Sequence, residues 1–274
     1  MVKGQKILYR QIVEVPAGNW KQFLEHEDRM DEAETQRGYP LPRKYRQLFG
    51  SGHSDCVRVY ERLFESYAAF GKLIELRRND PVLTELDNER HRLSCFESTT
   101  YYCVDSGCPV YPLMWQMSKI PFTEEELACA CDEYDSTPSS REEVESNIAA
   151  GKLRILHRRV QMIPMDRWAE QLRQERACDK AEAALGIPLP MRYRSGPGTN
   201  YTSYMRVTQR EFASIEDAFS VLESFIHETD AGYREMMNQE INRNNIVDWE
   251  QEEIYIVDSD SFTPMWMDYA AMQE

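Results

Sequence analysis

The phrase GYPLPRKYR at Gly38–Arg46 returns as GIPLPMRYR at Gly186–Arg194, 148 residues later. A chain that repeats itself at so long an interval holds two copies of one unit, so both halves must reach the same fold. At the same offset Ile7, Leu8, Arg10, Pro16, Trp20 and Leu24 match Ile155, Leu156, Arg158, Pro164, Trp168 and Leu172. The identities continue through Glu27/Glu175, Asp31/Asp179, Glu34/Glu182, Tyr45/Tyr193, Arg58/Arg206, Arg62/Arg210 and Phe64/Phe212. YYCVDS (Tyr101–Ser106) answers IYIVDS (Ile254–Ser259) at an offset of 153, and PLMWQM from Pro112 echoes PMWMD from Pro264.

Each copy has the same local grammar. ILYRQIVEV and ILHRRVQMI are rich in β-branched residues and end at a proline, which predicts a first strand stopping at Pro16 or Pro164. Trp20, Phe23 and Leu24, like Trp168 and Leu172, then recur at helical spacing. Gly38 and Gly186, followed by PLP, end that helix and turn the chain into a second strand. A Gly-rich turn, GSGHSD or GPGTNY, leads to a third strand, CVRVYERLF or YMRVTQREF. Ser66 and Ser214 are placed to cap a second helix, and further helical sequence precedes a last strand.

The order β-α-β-β-α-β is the ferredoxin-like unit. The expected fold class is therefore α+β, two tandem ferredoxin-like units forming an intramolecular dimeric α/β barrel. The expected boundaries are 1–105 for the first unit, 106–151 for an acidic connector, 152–258 for the second unit and 259–274 for a Met/Trp-containing tail.

Composition narrows the function. A 274-residue chain with 42% hydrophobic and 29% charged residues is a soluble globular protein, and no apolar run is long enough to span a bilayer. A net charge of −15 argues against nucleic acid and anionic membrane as partners. Seven cysteines, an odd number, read as reduced thiols, and the amino terminus lacks a signal-peptide core, so a cytoplasmic location is expected. The Cys129–Cys131 pair has no nearby histidine, and no metal site is expected. No HExxH, GxSxG, Walker or dinucleotide motif occurs.

With its duplicated βαββαβ order and the YRQIVEVPAGNWKQFLEH pattern running from first strand into first helix, the chain resembles the dimeric α/β-barrel superfamily, in particular its NIPSNAP-like members. The resemblance implies a choice among cofactor-independent monooxygenases, haem enzymes, lactone isomerases and binding proteins without catalysis. It also allows a homodimer. Fold alone does not select among these functions.

Three constellations carry candidate chemistry. Trp20, Leu24, Glu27, Asp31 and Glu34 share one helical face, as do Trp168, Leu172, Glu175, Asp179 and Glu182. The acids could line the mouth of a helix–sheet pocket for a small-molecule ligand. They could instead emerge into solvent or pair with arginines such as Arg37 or Arg43. Arg58 and Arg62, with Arg206 and Arg210, alternate with aliphatic residues along the third strands. If the aliphatic face packs on the helices, these arginines point between the sheets. There they would form an ion-pair network with Glu14, Glu97, Glu250 and Glu252, or a site for an anionic ligand. His157 and His227 lack counterparts in the first copy, the asymmetry that an axial haem ligand would leave in a haem-binding relative.

The expected function is small-molecule binding or transformation in a helix–sheet pocket, by a cofactor-independent oxygenase or isomerase if the chain is catalytic. The alternatives are a non-catalytic NIPSNAP-like interaction protein and a haem-binding protein.

Overall fold

Strand-forming runs ending at proline build the first strand of each copy: β1 (Ile7–Val15) and its counterpart at Ile155–Ile163. In the computed structural model the described residues are 6–39, 41–49, 56–104, 154–195, 204–226 and 231–257. The connector 106–151, the tail 259–274, the Gly-rich turns, Cys129–Cys131 and His227 lie outside them. The chain divides into two compact units, Met1–Cys103 with Tyr255–Glu274 and Val104–Ile254.

In the first unit β1 leads through a short 3-10 turn into α1 (Trp20–Gln36). β2 (Arg43–Phe49), β3 (Cys56–Phe64), α2 (Tyr67–Asn79), α3 (Pro81–Leu93) and β4 (Phe96–Val104) follow. β1 is central: it pairs antiparallel with β3, setting Tyr9 opposite Arg62 and Gln11 opposite Tyr60, and antiparallel with β4 on its other side. β2 completes the sheet antiparallel to β3.

The second copy repeats the order as β5 (Ile155–Ile163), α4 (Trp168–Ala184), β6 (Met191–Ser195) and β7 (Tyr204–Phe212). α5 (Ile215–Ile226), α6 (Ala231–Asn244) and β8 (Trp249–Val257) complete it. β7 pairs antiparallel with both β5 and β6. The fold class is α+β with tandem ferredoxin-like units, as the repeat implies.

The opening phrase works as the grammar predicts. Gly38 and Gly186 have φ of 70° and 71°, the left-handed region that a side chain disfavours. The amide of Gly38 donates to Thr35 O at 3.0 Å and that of Tyr39 to Glu34 O at 2.9 Å, a Schellman motif that satisfies the last carbonyls of α1. Gly186 to Ala183 O and Ile187 to Glu182 O repeat it in the second copy. Ser66 and Ser214 accept from the amides of Ala69 and Asp217, capping α2 and α5. Asp80 caps α3 by accepting from Val82 and Leu83, with Pro81 in the first helical position.

The helix-facing core of the first unit is not continuous. Ile7, Phe64, Leu73 and Cys103 form one apolar cluster, and Val13, Val15, Phe23 and Leu93 form another. Tyr9 and Gln11 on β1, with Tyr60 and Arg62 on β3, come between the residues that anchor these clusters. Polar side chains there interrupt the packing, and a pocket results.

Candidate functional site

The acids of α1 and the arginines of β3, read separately in the sequence, are one another's partners. Arg58 donates to Glu27 through Nε at 2.7 Å and Nη2 at 2.5 Å, a bidentate pair that Tyr60 Oη joins at 2.7 Å. Lys44 Nζ, 3.3 Å from Glu27, also pairs with Asp31. Arg62 Nη2 donates to both oxygens of Glu34, at 2.8 and 2.6 Å, and Arg77 from α2 pairs with the same carboxylate.

The second unit repeats the scheme. Arg206 grips Glu175 at 2.8 and 2.5 Å, Arg192 reaches Glu175 at 3.2 Å and also pairs with Asp179, and Arg210 pairs with Glu182. Glu27, Glu34, Glu175, Asp179 and Glu182 are all buried, so the helix end does not emerge into solvent. Arg37, one expected partner of the acids of α1, pairs with Asp80 instead.

This corrects the expected orientation of β3 and β7. Arg58 and Arg62, with Arg206 and Arg210, lie on the helix-facing side, while Val57, Val59 and Leu63 take the opposite face. Nor are Glu14, Glu97, Glu250 and Glu252 the carboxylates gripped in these pairs. The physical reason is that an amphipathic strand can turn its charged face to a helix when the helix supplies matching charges. Each buried guanidinium then has its counterion in reach.

The two units differ in what the scheme leaves open. In the first, α1, α2, α3 and the sheet enclose a cavity of about 340 Å³. Its walls include Tyr9, Gln11, Tyr60 and Arg62 from the sheet, and His26, Glu27, Met30, Asp31 and Glu34 from α1. Arg77 from α2 and Asp87 and Arg90 from α3 close the far side. The corresponding cavity in the second unit is about 50 Å³.

One aligned position accounts for much of the contrast. Gln11 in the first copy is Arg159 in the second. Gln11 makes one short bond, Nε2 to Glu97 at 3.1 Å. Arg159 extends to Glu240 at 3.0 Å, Glu252 at 2.6 Å and Glu250 at 3.5 Å. Arg192 in place of Lys44 adds bulk beside it. The second copy thus fills with ion pairs the space that the first keeps.

Titration behaviour follows these contacts. Burial alone would raise Glu27, but Arg58, Lys44 and Tyr60 outweigh it and hold the carboxyl below its ordinary range. Asp31 goes the other way: burial raises it more than Lys44 lowers it. Burial and the adjacent Glu27 carboxylate push the Tyr60 phenol well up. In the second unit the burial of Glu175 is overcome by Arg206 and Arg192, leaving it at about 2. Burial lifts the Cys178 thiol to about 12, so it is no nucleophile.

His26 was missed in the sequence. It is 2% exposed, it lines the first cavity, and neither ring nitrogen has a hydrogen-bond partner. Its aligned residue is Gln174, so the copy-to-copy asymmetry that singled out His157 could have found it.

The described residues around His157 do not fit a haem. His157 lines the small second cavity with its Nε2 3.7 Å from Glu252 Oε2, facing a carboxylate. A volume of about 50 Å³ is far below the roughly 300 Å³ at which ligand pockets begin.

No family model and no curated protein sequence matches the chain. Similar solved structures exist. A protein from Fusobacterium nucleatum, provisionally described as a monooxygenase, shares 8% identity over 94% of each chain with a TM-score of 0.52. An anthrone oxidase-like protein shares 10% identity over 93% of this chain and 92% of its own, with a TM-score of 0.48. The chlorite dismutase of Candidatus Nitrospira defluvii shares 10% identity over 95% and 94%, with a TM-score of 0.47. The likeness to the Fusobacterium protein is one of fold and leaves the chemistry to be argued from the residues.

Proposed function

We propose that the first unit binds and transforms a small molecule in the cavity between α1 and its sheet, without a resident cofactor. The observation that carries this reading is the contrast between duplicated sites: about 340 Å³ kept open in one copy, about 50 Å³ in the other. The first copy keeps Gln11 where the second fills the space with the ion pairs of Arg159, and an open pocket of ligand size is an ordinary binding site.

Its walls suit a compact, partly aromatic molecule. Tyr9, Phe64, Met30 and Leu73 offer apolar surface, while Tyr60, Asp31 and His26 offer proton-exchanging groups. Among the described residues, no serine or cysteine lines the cavity. Proton-transfer chemistry, as in an isomerase or a cofactor-independent oxygenase, fits better than hydrolysis. Kinship with NIPSNAP-like chains is part of the same proposal and rests on the sequence running from β1 into α1.

The test copies the second unit into the first. Gln11→Arg should let the new guanidinium reach Glu97 and occupy the cavity as Arg159 does. Ligand-observed NMR with a library of small aromatic fragments should show binders to the native chain that this variant loses. An unchanged set of binders would refute the assignment.

A further inference from the structure

The polar groups around the first cavity are mostly committed to one another. Glu27, Asp31, Glu34 and Asp87 are paired with Arg58, Lys44, Arg62, Arg77 and Arg90. His26 differs. Its ring is buried beside Phe23, with centroids 6.4 Å apart, and both nitrogens are without a hydrogen-bond partner. Buried polar atoms left in that condition cost stability, and native chains retain them chiefly where something outside the fold uses them.

The surroundings assign the two nitrogens different roles. Nδ1 lies 3.5 Å from Glu89 Oε2 on α3, and Glu89 is itself held by Arg29 at 2.6 Å. Nε2 has no hydrogen-bond partner, and the ring itself lines the cavity. We propose that His26 is the proton acceptor of this pocket, serving a small ligand with a weakly acidic O–H or N–H, and that Glu89 is its positioning residue. The proposal rests on the pocket being the binding site.

The step balances simply. The ligand's O–H or N–H bond breaks, its electron pair stays on the ligand, and the proton forms a new bond to Nε2. Burial lowers the affinity of His26 for protons and outweighs Glu89, which raises it, with Arg29 and Arg90 adding to the lowering, so the ring is neutral near pH 7. Glu89 is kept ionised by Arg29, and it faces the imidazolium once that forms. This is the arrangement of a general base with an orienting carboxylate.

The probe is 2-chloro-4-nitrophenol, a stronger acid than ordinary imidazolium, whose phenolate absorbs at longer wavelength than the phenol. Spectra of the bound probe are recorded below the pKa of the free probe. The native chain should bind it and show the phenolate band. His26→Gln has a precedent in Gln174 of the second copy, so it should fold, retain binding and lose the band. Glu89→Gln should weaken the band. If the probe binds the native chain only as the neutral phenol, or if His26→Gln keeps the band, His26 is not the acceptor and the pocket reading stands. If the probe does not bind, or binds Gln11→Arg equally well, both readings fall.

Discussion

Removing either partner from the Arg206–Glu175 pair should expose how much the helix–sheet interface depends on matched charge. Both groups are buried, at 2% and 4% exposure, and they share two hydrogen bonds. Glu175 titrates at about 2 rather than 4.5, a difference worth about 3 kcal/mol. Arg206→Met takes the bidentate partner from a buried carboxylate, leaving it Arg192 at 3.2 Å, and should cost about 3 kcal/mol. Glu175→Met takes from Arg206 the carboxylate that accepts its two hydrogen bonds and should cost a similar amount. The double variant removes both charges together, and Arg192 retains Asp179. It should therefore fall short of the sum by roughly 3 kcal/mol, read from urea denaturation followed by circular dichroism and tryptophan fluorescence. The pH dependence has a definite sign. Between about 2 and 4.5 the unfolded chain carries a proton on Glu175 that the native chain does not, so acid favours unfolding. The contribution is fully present above about pH 5 and drains away toward pH 2, and Glu175→Met should lack that component. Additive single costs, with no change in the acid limb, would refute the reasoning.

Gly38→Ala should destabilise the first unit by about 1 kcal/mol, because an L-residue is strained at positive φ. An added Cβ would meet nothing within 4 Å, so the cost is conformational alone, and an unchanged denaturation midpoint would contradict it. Hemin added to the purified chain should give no saturable Soret shift, since the cavity beside His157 is too small. Stoichiometric binding abolished by His157→Ala would overturn that conclusion.

Much of the fold could be read from residues whose effects are local. Gly38 and Gly186 announce left-handed caps, Ser66 and Ser214 announce helix starts, and the prolines end strands; each acts within a few residues of itself. The site was legible only in parts. The spacing of Glu27, Asp31 and Glu34 placed them on one face, and the alternation of Arg58 and Arg62 placed them on another. Periodicity does not say which face meets which, because an amphipathic strand satisfies the pattern either way round. The premise that the aliphatic face of the strand packs on the helices misled, since it ignores the option of burying two charged faces against each other. His26 is different: its asymmetry with Gln174 marks the position in the sequence, but its meaning comes from lacking partners in three dimensions.

The charged interface also explains how an empty space survives between helix and sheet. Glu27 and Glu34 are seven residues apart, a rise of about 10 Å on a helix. Arg58 and Arg62, four apart on a strand, span about 13 Å, and the long arginine side chains absorb the difference. The pairs Glu27–Arg58 and Glu34–Arg62 therefore fasten α1 to β3 at two points, in one direction and one register. Glu175–Arg206 and Glu182–Arg210 do the same in the second copy. An apolar interface could slide or collapse into a void, gaining contacts as it closed. A helix pinned by two buried ion pairs cannot shift without stranding charge, at a cost of several kcal/mol. The pins hold the walls apart in both copies, and what lies between them is decided by side chains such as Gln11 or Arg159. A duplicated chain can thus close one pocket with charge and leave the other open, with the same backbone and the same two fasteners.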